Sequence, residues 1–197
     1  YEEQTFVPHR LSEVLQDALK LLRSLIPSSV DIQTDYEAAD GIVMADSVQL
    51  NQIMMNLCVN ASQAMDEHGR IEIGLSRVRV DGMYRNRPTD LPPGDYLRLR
   101  VRDTGPGISD GLLDRAFEPY FTTKEIGKGS GMGLAVVHGI VSSHNGEAFV
   151  DNHPDGGACF DILFPEVDIQ PPRQEFSIKN IPPGNERILL VDDERSI

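Results

Sequence analysis

The chain has 197 residues, of which 40% are hydrophobic and 25% charged, and carries a formal net charge of −13. That length holds one ordinary domain with a real core plus a few tens of residues of linker or neighbour, and no apolar run approaches the roughly 18 residues of a membrane helix, so a soluble piece is expected. The negative charge opposes non-specific attraction to nucleic acid or anionic lipid, which rests on clustered Lys and Arg, so any phosphate ligand must be met by local positive potential.

The sequence opens at Tyr1 without the basic, apolar, small-residue succession of a signal peptide and reads as an excised piece. Over residues 9–26, Leu11, Val14, Leu15, Ala18, Leu22 and Leu25 recur at steps of three and four, which predicts a helix ended by Pro27. Residues 30–34 and 42–44 read as strands. Asp46 or Ser47 then caps a second helix running to Met65, with Leu50, Ile53, Leu57, Ala61 and Ala64 as its core face and Gly69 closing it. Ile71, Ile73 and Leu75 alternate as a strand, while Val78 and Val80 continue on the opposite phase, which predicts a bulge before a Pro-rich hairpin loop over residues 83–94. Residues 96–103 place Leu97, Leu99 and Val101 on one strand face, and residues 132–144 repeat Leu134, Val137, Ile140 and Val141 helically. Residues 147–151 and the alternation of Ala158, Phe160, Ile162 and Phe164 up to Pro165 predict two last strands, turning at Gly156 and Gly157.

The implied class is α/β, with helices on one face of a mixed sheet. A domain boundary is placed at 165, because Pro171, Pro172, Pro182 and Pro183 among polar residues read as an extended linker over 166–185. Cys58 and Cys159 lack CxxC or His spacing and read as buried, reduced thiols.

Three groups of residues carry candidate chemistry. Asp103 shares strand parity with Leu97, Leu99 and Val101, so its carboxylate points to the apolar side, where a charge needs a partner; a turn-forming Asp ahead of Thr104 and Gly105 is the plainer alternative. Gly105 and Gly107 permit close approach of a ligand to the backbone. Asn56 and Asn60 are spaced to project from one strip of the second helix, where amide oxygens could hold a hard cation such as magnesium or be ordinary polar positions. The run GKGSGMG places Gly127, Gly129, Gly131 and Gly133 just before a helix, so its amides could cradle phosphates with charge from Lys124 and Lys128, or form a loop without a ligand. It matches neither the P-loop nor the dinucleotide fingerprint.

In order along the chain stand Asn56-Leu-x-x-Asn60-Ala61, Asp103-Thr-Gly105-x-Gly107-Ile108, Phe117-Glu-Pro-Tyr-Phe121-Thr-Thr-Lys124 and Gly129-Ser-Gly131-Met-Gly133-Leu134. Together they resemble the N, G1, F and G2 boxes of the catalytic domain of histidine kinases, in the superfamily that also holds gyrase-type ATPases. The resemblance covers roughly residues 5–165 and includes a closing Gly156-Gly157-Ala-Cys-Phe160 turn.

It implies the family's two-layer α/β sandwich, with ATP and Mg²⁺ as cofactors and a lid between the F and G2 boxes. It further implies that Asp103 accepts from the adenine amino group, that Asn60 with Asn56 holds Mg²⁺, and that Lys124 assists near the phosphates. By position in the boxes, Gly105, Gly107, Ile108, Phe117, Thr123, Gly129, Ser130, Gly131, Met132, Gly133 and Leu134 complete the implied ATP site, with Asn56 and Lys124 as catalytic candidates. Related ATPases carry a Glu where this chain has Asn56, and an amide cannot be a general base, which favours phosphoryl transfer over hydrolysis. Gln63 and Ala64 stand where many members have a basic residue and an aromatic, a pattern resembling the nitrogen-regulation-like subgroup. Serine-directed and mitochondrial dehydrogenase kinases share the fold.

His9 is the histidine nearest the upstream end, but Arg10 follows it where the family's phosphoacceptor is followed by an acid, so the acceptor-histidine hairpin is expected to lie elsewhere in the parent. Residues 187–194, RILLVDDE, resemble the first strand of a receiver domain, which implies a hybrid kinase with a truncated receiver at 186–197. Implied partners are the parent's acceptor-histidine dimerisation domain and a receiver or response regulator, with no nucleic acid and no direct membrane contact, in a cytoplasmic setting whether or not the parent is membrane-anchored. A regulatory ATP-binding module and a hydrolytic ATPase stand as the alternatives.

Overall fold

A computed structural model describes residues 6–121 and 131–169. The elements are β1 (Val7–Arg10), α1 (Leu11–Leu22), β2 (Val30–Tyr36), β3 (Ile42–Ala45), α2 (Ser47–Ala64), β4 (Gly69–Val80), β5 (Met83–Tyr84), β6 (Arg87–Pro88), β7 (Gly94–Asp103), a 3-10 turn (Asp110–Arg115), α3 (Gly133–Ser143), β8 (Glu147–Asn152) and β9 (Ala158–Pro165). Five strands form one mixed sheet in the order β2-β4-β7-β9-β8, with β2 and β4 parallel and the other pairs antiparallel. The parallel pair is made possible by the crossover through α2, since a tight turn cannot join parallel neighbours. β1 and β3 pair separately, as do β5 and β6.

The first helix is shorter than its periodicity predicts. Residues 9 and 10 are taken into β1 by pairing with β3, and the helix ends at Leu22, leaving Leu25 57% exposed. Leu11, Val14, Leu15, Ala18 and Leu22 form its buried stripe.

Asp46 caps α2 by accepting from the Val48 amide at 2.8 Å. The buried face is Leu50, Ile53, Met54, Leu57, Cys58 and Ala61, and it continues to Met65. Ala64 is exposed, because a step of four from Ala61 reaches Met65. The chain leaves the helix through Asp66 and Glu67, both at positive φ (48° and 60°), so Gly69 opens β4 and does not close α2.

There is no bulge in β4. Its register with β7 runs without a slip from Ile71↔Asp103 to Val80↔Gly94. The phase change has another cause, namely that both sheet faces are covered at that end. Ile71, Ile73, Leu75, Leu97, Leu99 and Val101 belong to the main core under the helices. Val80, Tyr84, Leu91, Tyr96, Phe149 and Leu163 form a second cluster on the opposite face, with Val78 packed against it. The loop expected over 83–94 folds down as the β5–β6 hairpin, whose turn residues Arg85 and Asn86 both take the positive φ that such two-residue turns require. The fully buried Asp161 fastens it: the Arg100 guanidinium (2.7 and 2.9 Å), the Tyr84 hydroxyl (2.8 Å) and Arg85 (3.1 Å) all donate to its carboxylate.

His144 is a buried joint between helices. Its Nδ1 donates to the Ile140 carbonyl (2.8 Å) and its Nε2 accepts the Asp46 amide (3.2 Å), which fixes one tautomer. Both cysteines are buried and free. Burial pushes the Cys58 thiol up to about 12 and raises that of Cys159, as suits inert, reduced thiols. Past Pro165 the chain stays attached, with the Val167 amide donating to the Ile42 carbonyl at 2.9 Å. Among the described residues no helix is long and apolar enough to cross a membrane.

Candidate functional site

Asp103 ends β7 on the apolar parity and is 3% exposed. Its Oδ1 accepts from the Gly105 amide (2.8 Å) and from the Ala158 amide (3.2 Å). Among the described residues both hydrogen bonds fall on that one oxygen, which leaves Oδ2 available for a donor from outside. Burial raises the pKa of this carboxyl, while the two backbone amides and Arg102 oppose the rise. The start of β9 can approach so closely because residue 157 is glycine: a Cβ there would sit 1.8 Å from the Asp103 carbonyl oxygen.

Asn56 and Asn60 lie half-buried on one strip of α2. They face the head of α3, since a Cβ on Gly133 would stand 3.2 Å from Asn56 Oδ1 and 3.4 Å from Asn60 Nδ2. Like those of any helix, the first-turn amides of α3 have no acceptor within the helix, and the positive end of its dipole points toward this pair. The other end of α2 reaches the Asp103 turn, for a Cβ on Gly105 would lie 3.4 Å from the Ala64 carbonyl. At about 1.5 Å of rise per residue, the Asp103 turn is therefore about 6 Å along the helix from Asn60 and about 12 Å from Asn56. One helix thus sets the spacing between a buried carboxylate and a pair of amides.

Ile108, Phe117 and Leu134 are partly buried and packed against the main core. The Phe117 ring stands edge-on to Phe160 at 6.4 Å and tilted over His138 at 5.7 Å, so this aromatic braces the segment that follows β7. The Tyr120 amide donates to the Gly131 carbonyl at 3.0 Å, joining the residues on either side of 122–130. Thr123, Lys124, Gly129 and Ser130 lie outside the described residues.

Asn152 was not legible as a site residue. Its side chain accepts from the Ile108 amide (2.8 Å) and donates to the Ile108 carbonyl (2.6 Å), yet in the sequence it is only an Asn ahead of the turn at Pro154. Among the described residues no group of three or more His, Cys, Asp or Glu could hold a metal. A cation here would be held by the amide oxygens of Asn56 and Asn60, hard donors of the kind magnesium accepts when phosphates and water supply the rest.

Residues 45–168 match the family of histidine kinase-, DNA gyrase B- and HSP90-like ATPases. The chain is 34% identical over 196 residues to the sensor kinase CckA of Brucella abortus (strain 2308), an alignment that covers 95% of this chain and 21% of that protein. It therefore spans about a fifth of that relative's length. The nucleotide-free catalytic domain of histidine kinase ThkA superposes with a TM-score of 0.65 at 28% identity, covering 82% of this chain and 95% of that one. Full-length ShkA in complex with AMPPNP superposes with a TM-score of 0.65 at 25% identity, covering 84% of this chain and 32% of that one. ThkA has also been solved with the response regulator protein TrrA, and there superposes with a TM-score of 0.62 at 26% identity over 82% of this chain and 42% of that one. The fold, the ordered boxes and these matches agree, and the chain belongs to the histidine kinase-, DNA gyrase B- and HSP90-like ATPase family as a homologue of histidine kinase catalytic domains.

Proposed function

We propose that this domain binds ATP with Mg²⁺ between the Asp103 turn and the Asn56–Asn60 strip, and supplies the γ-phosphoryl group to a histidine of its parent chain. The observation that carries the reading is the buried Asp103 carboxylate, whose protein hydrogen bonds both fall on Oδ1. Its Oδ2 accepts from the adenine amino group, which adds a donor to the buried charge at the oxygen that the two backbone amides leave open. Gly105, Gly107 and Ile108 border the base. At the far end Asn60, helped by Asn56, holds the metal, whose chemistry is to neutralise phosphate charge. The head of α3, at Gly131, Met132, Gly133 and Leu134, faces the phosphates with the positive end of its helix dipole, with Thr123, Lys124, Gly129 and Ser130 completing that side.

In the transfer step the bond between the γ-phosphorus and the bridging oxygen breaks, ADP leaves, a P–N bond forms to the unprotonated imidazole nitrogen, and the ring's other N–H releases its proton to water. Positioning and charge neutralisation carry such a step, and the protein need supply little covalent chemistry. Asn56 supports transfer over hydrolysis, because an amide takes no proton from water. On this reading residues 1–165 are the catalytic domain, 166–185 a linker and 186–197 the opening strand of a receiver. The partners are then the parent's acceptor-histidine hairpin and a receiver or response regulator in the cytoplasm.

The test is a calorimetric titration with Mg-ATP, repeated on Asn60→Ala, followed by mixing with the parent's acceptor-histidine hairpin and assay for acid-labile phosphate. Binding that strengthens with Mg²⁺ in the wild type and not in Asn60→Ala, together with transfer, is the expected result. Binding without transfer would favour a regulatory nucleotide module, and no binding would overturn the assignment.

A further inference from the structure

We infer that Asn152 is a positioning residue for the adenine side of the nucleotide site, acting through the backbone of Ile108; the inference rests on the nucleotide reading above. Asn152 closes β8, and its amide meets both polar backbone groups of one residue, with Oδ1 accepting from the Ile108 N–H at 2.8 Å and Nδ2 donating to the Ile108 carbonyl at 2.6 Å. A carboxamide has the donor and the acceptor of a peptide group, so Asn152 does for Ile108 what a neighbouring strand would do. Neither Asp nor Ala can make both bonds.

Asn152 pairs across the β8–β9 ladder with Ala158, and the Ala158 amide is one of the two that donate to Asp103 Oδ1. A single cross-strand pair therefore pins both ends of the turn from residue 103 to residue 108, Ala158 at the carboxylate and Asn152 at Ile108. Gly107, at φ 77°, lets the turn settle onto the clamp, since a Cβ there would lie 2.6 Å from Asn152 Oδ1. Asn152 is exposed, and its Nδ2 also reaches Asp110 Oδ1 at 3.5 Å. Its bonds to Ile108 stand in competition with water and serve the shape of the turn more than the stability of the fold.

The experiment compares wild type, Asn152→Ala and Asn152→Asp by calorimetry with ATP, with and without Mg²⁺, at a temperature well below each melting point. Asn152→Ala is expected to weaken Mg-ATP binding about tenfold or more, while the factor gained on adding Mg²⁺ stays as in the wild type, because the phosphate side is untouched. Asn152→Asp keeps the acceptor for the Ile108 amide, loses the donor and sets a carboxylate beside Asp110, so it should weaken binding in the same direction, and it gives the answer if the alanine variant does not fold. Wild-type affinity in the folded variants would overturn the inference, leaving Asn152 a structural turn residue. So would loss of the Mg²⁺ factor, which would mean the whole site had shifted. Absence of binding by the wild type would instead bring down the nucleotide reading itself, and is distinguishable because it precedes any comparison of variants.

Discussion

Asp103 concentrates the physics of the site in one side chain. Burial raises its pKa, so in the ligand-free fold the charged form is disfavoured, and the stability it contributes by taking up a proton is present at low pH and falls as pH rises through the folded pKa. A donor such as an adenine amino group reverses that preference, so nucleotide affinity should drop as pH falls through the same raised pKa. Asp103→Asn should weaken ATP binding by about 1.5–3 kcal/mol, ten- to roughly a hundredfold. Its ligand-free melting temperature should be nearly unchanged, because the amide oxygen still accepts from Gly105 and Ala158 and the buried charge is gone. Calorimetry beside thermal melts checks both halves, and equal affinity in the mutant would sink the adenine role.

At the scale of elements, the β5–β6 hairpin is held to the sheet by Asp161, and this anchor is separate from the chemistry. Burial alone would raise the Asp161 pKa, but the Arg100 guanidinium and the Tyr84 hydroxyl outweigh it and hold the carboxyl below its usual range. The same pairing, with burial as the larger cause, pushes the Tyr84 hydroxyl up to about 12. A lowered carboxylate pKa means that Asp161 contributes stability above its unfolded value and that the contribution is lost as pH falls through the folded pKa. Asp161→Ala should cost about 3 kcal/mol, since Arg100 loses its partner, and should flatten the acid side of the stability profile. Nucleotide affinity should not change. Urea melts at several pH values, beside one Mg-ATP titration, check this, and a variant as stable as wild type at neutral pH would show the hairpin needs no such anchor.

For the molecule as a whole, a ligand that binds only the folded state must stabilise it by mass action. Mg-ATP at a hundred times its Kd should add about 2.7 kcal/mol, which for a domain of this size raises the melting temperature by about 5–10 °C. The same concentration, only about 1–10 times the Kd of Asp103→Asn, should give that variant about half the shift or less. A net charge of −13 leaves no general attraction for phosphates, so an ATP effect of this size requires a built site.

The sequence by itself determined the order of the three helices and of the five strands of the main sheet, the α/β class, and the residues that define the family. Those features are local: stripes at helical spacing, alternation in Leu97, Leu99 and Val101, and boxes such as Asp103-Thr-Gly105 read from neighbours along the chain. What only the tertiary structure decided depends on elements far apart in sequence. Pairing with β3 takes residues 9 and 10 from the first helix, a second core under the β5–β6 hairpin explains Val78 and Val80 without a bulge, and Met65 replaces Ala64 on the core face. Asn152 holds Ile108 from 44 residues away. No pattern along the chain marks such a contact, because a side-chain amide bonds whichever backbone the fold brings to it.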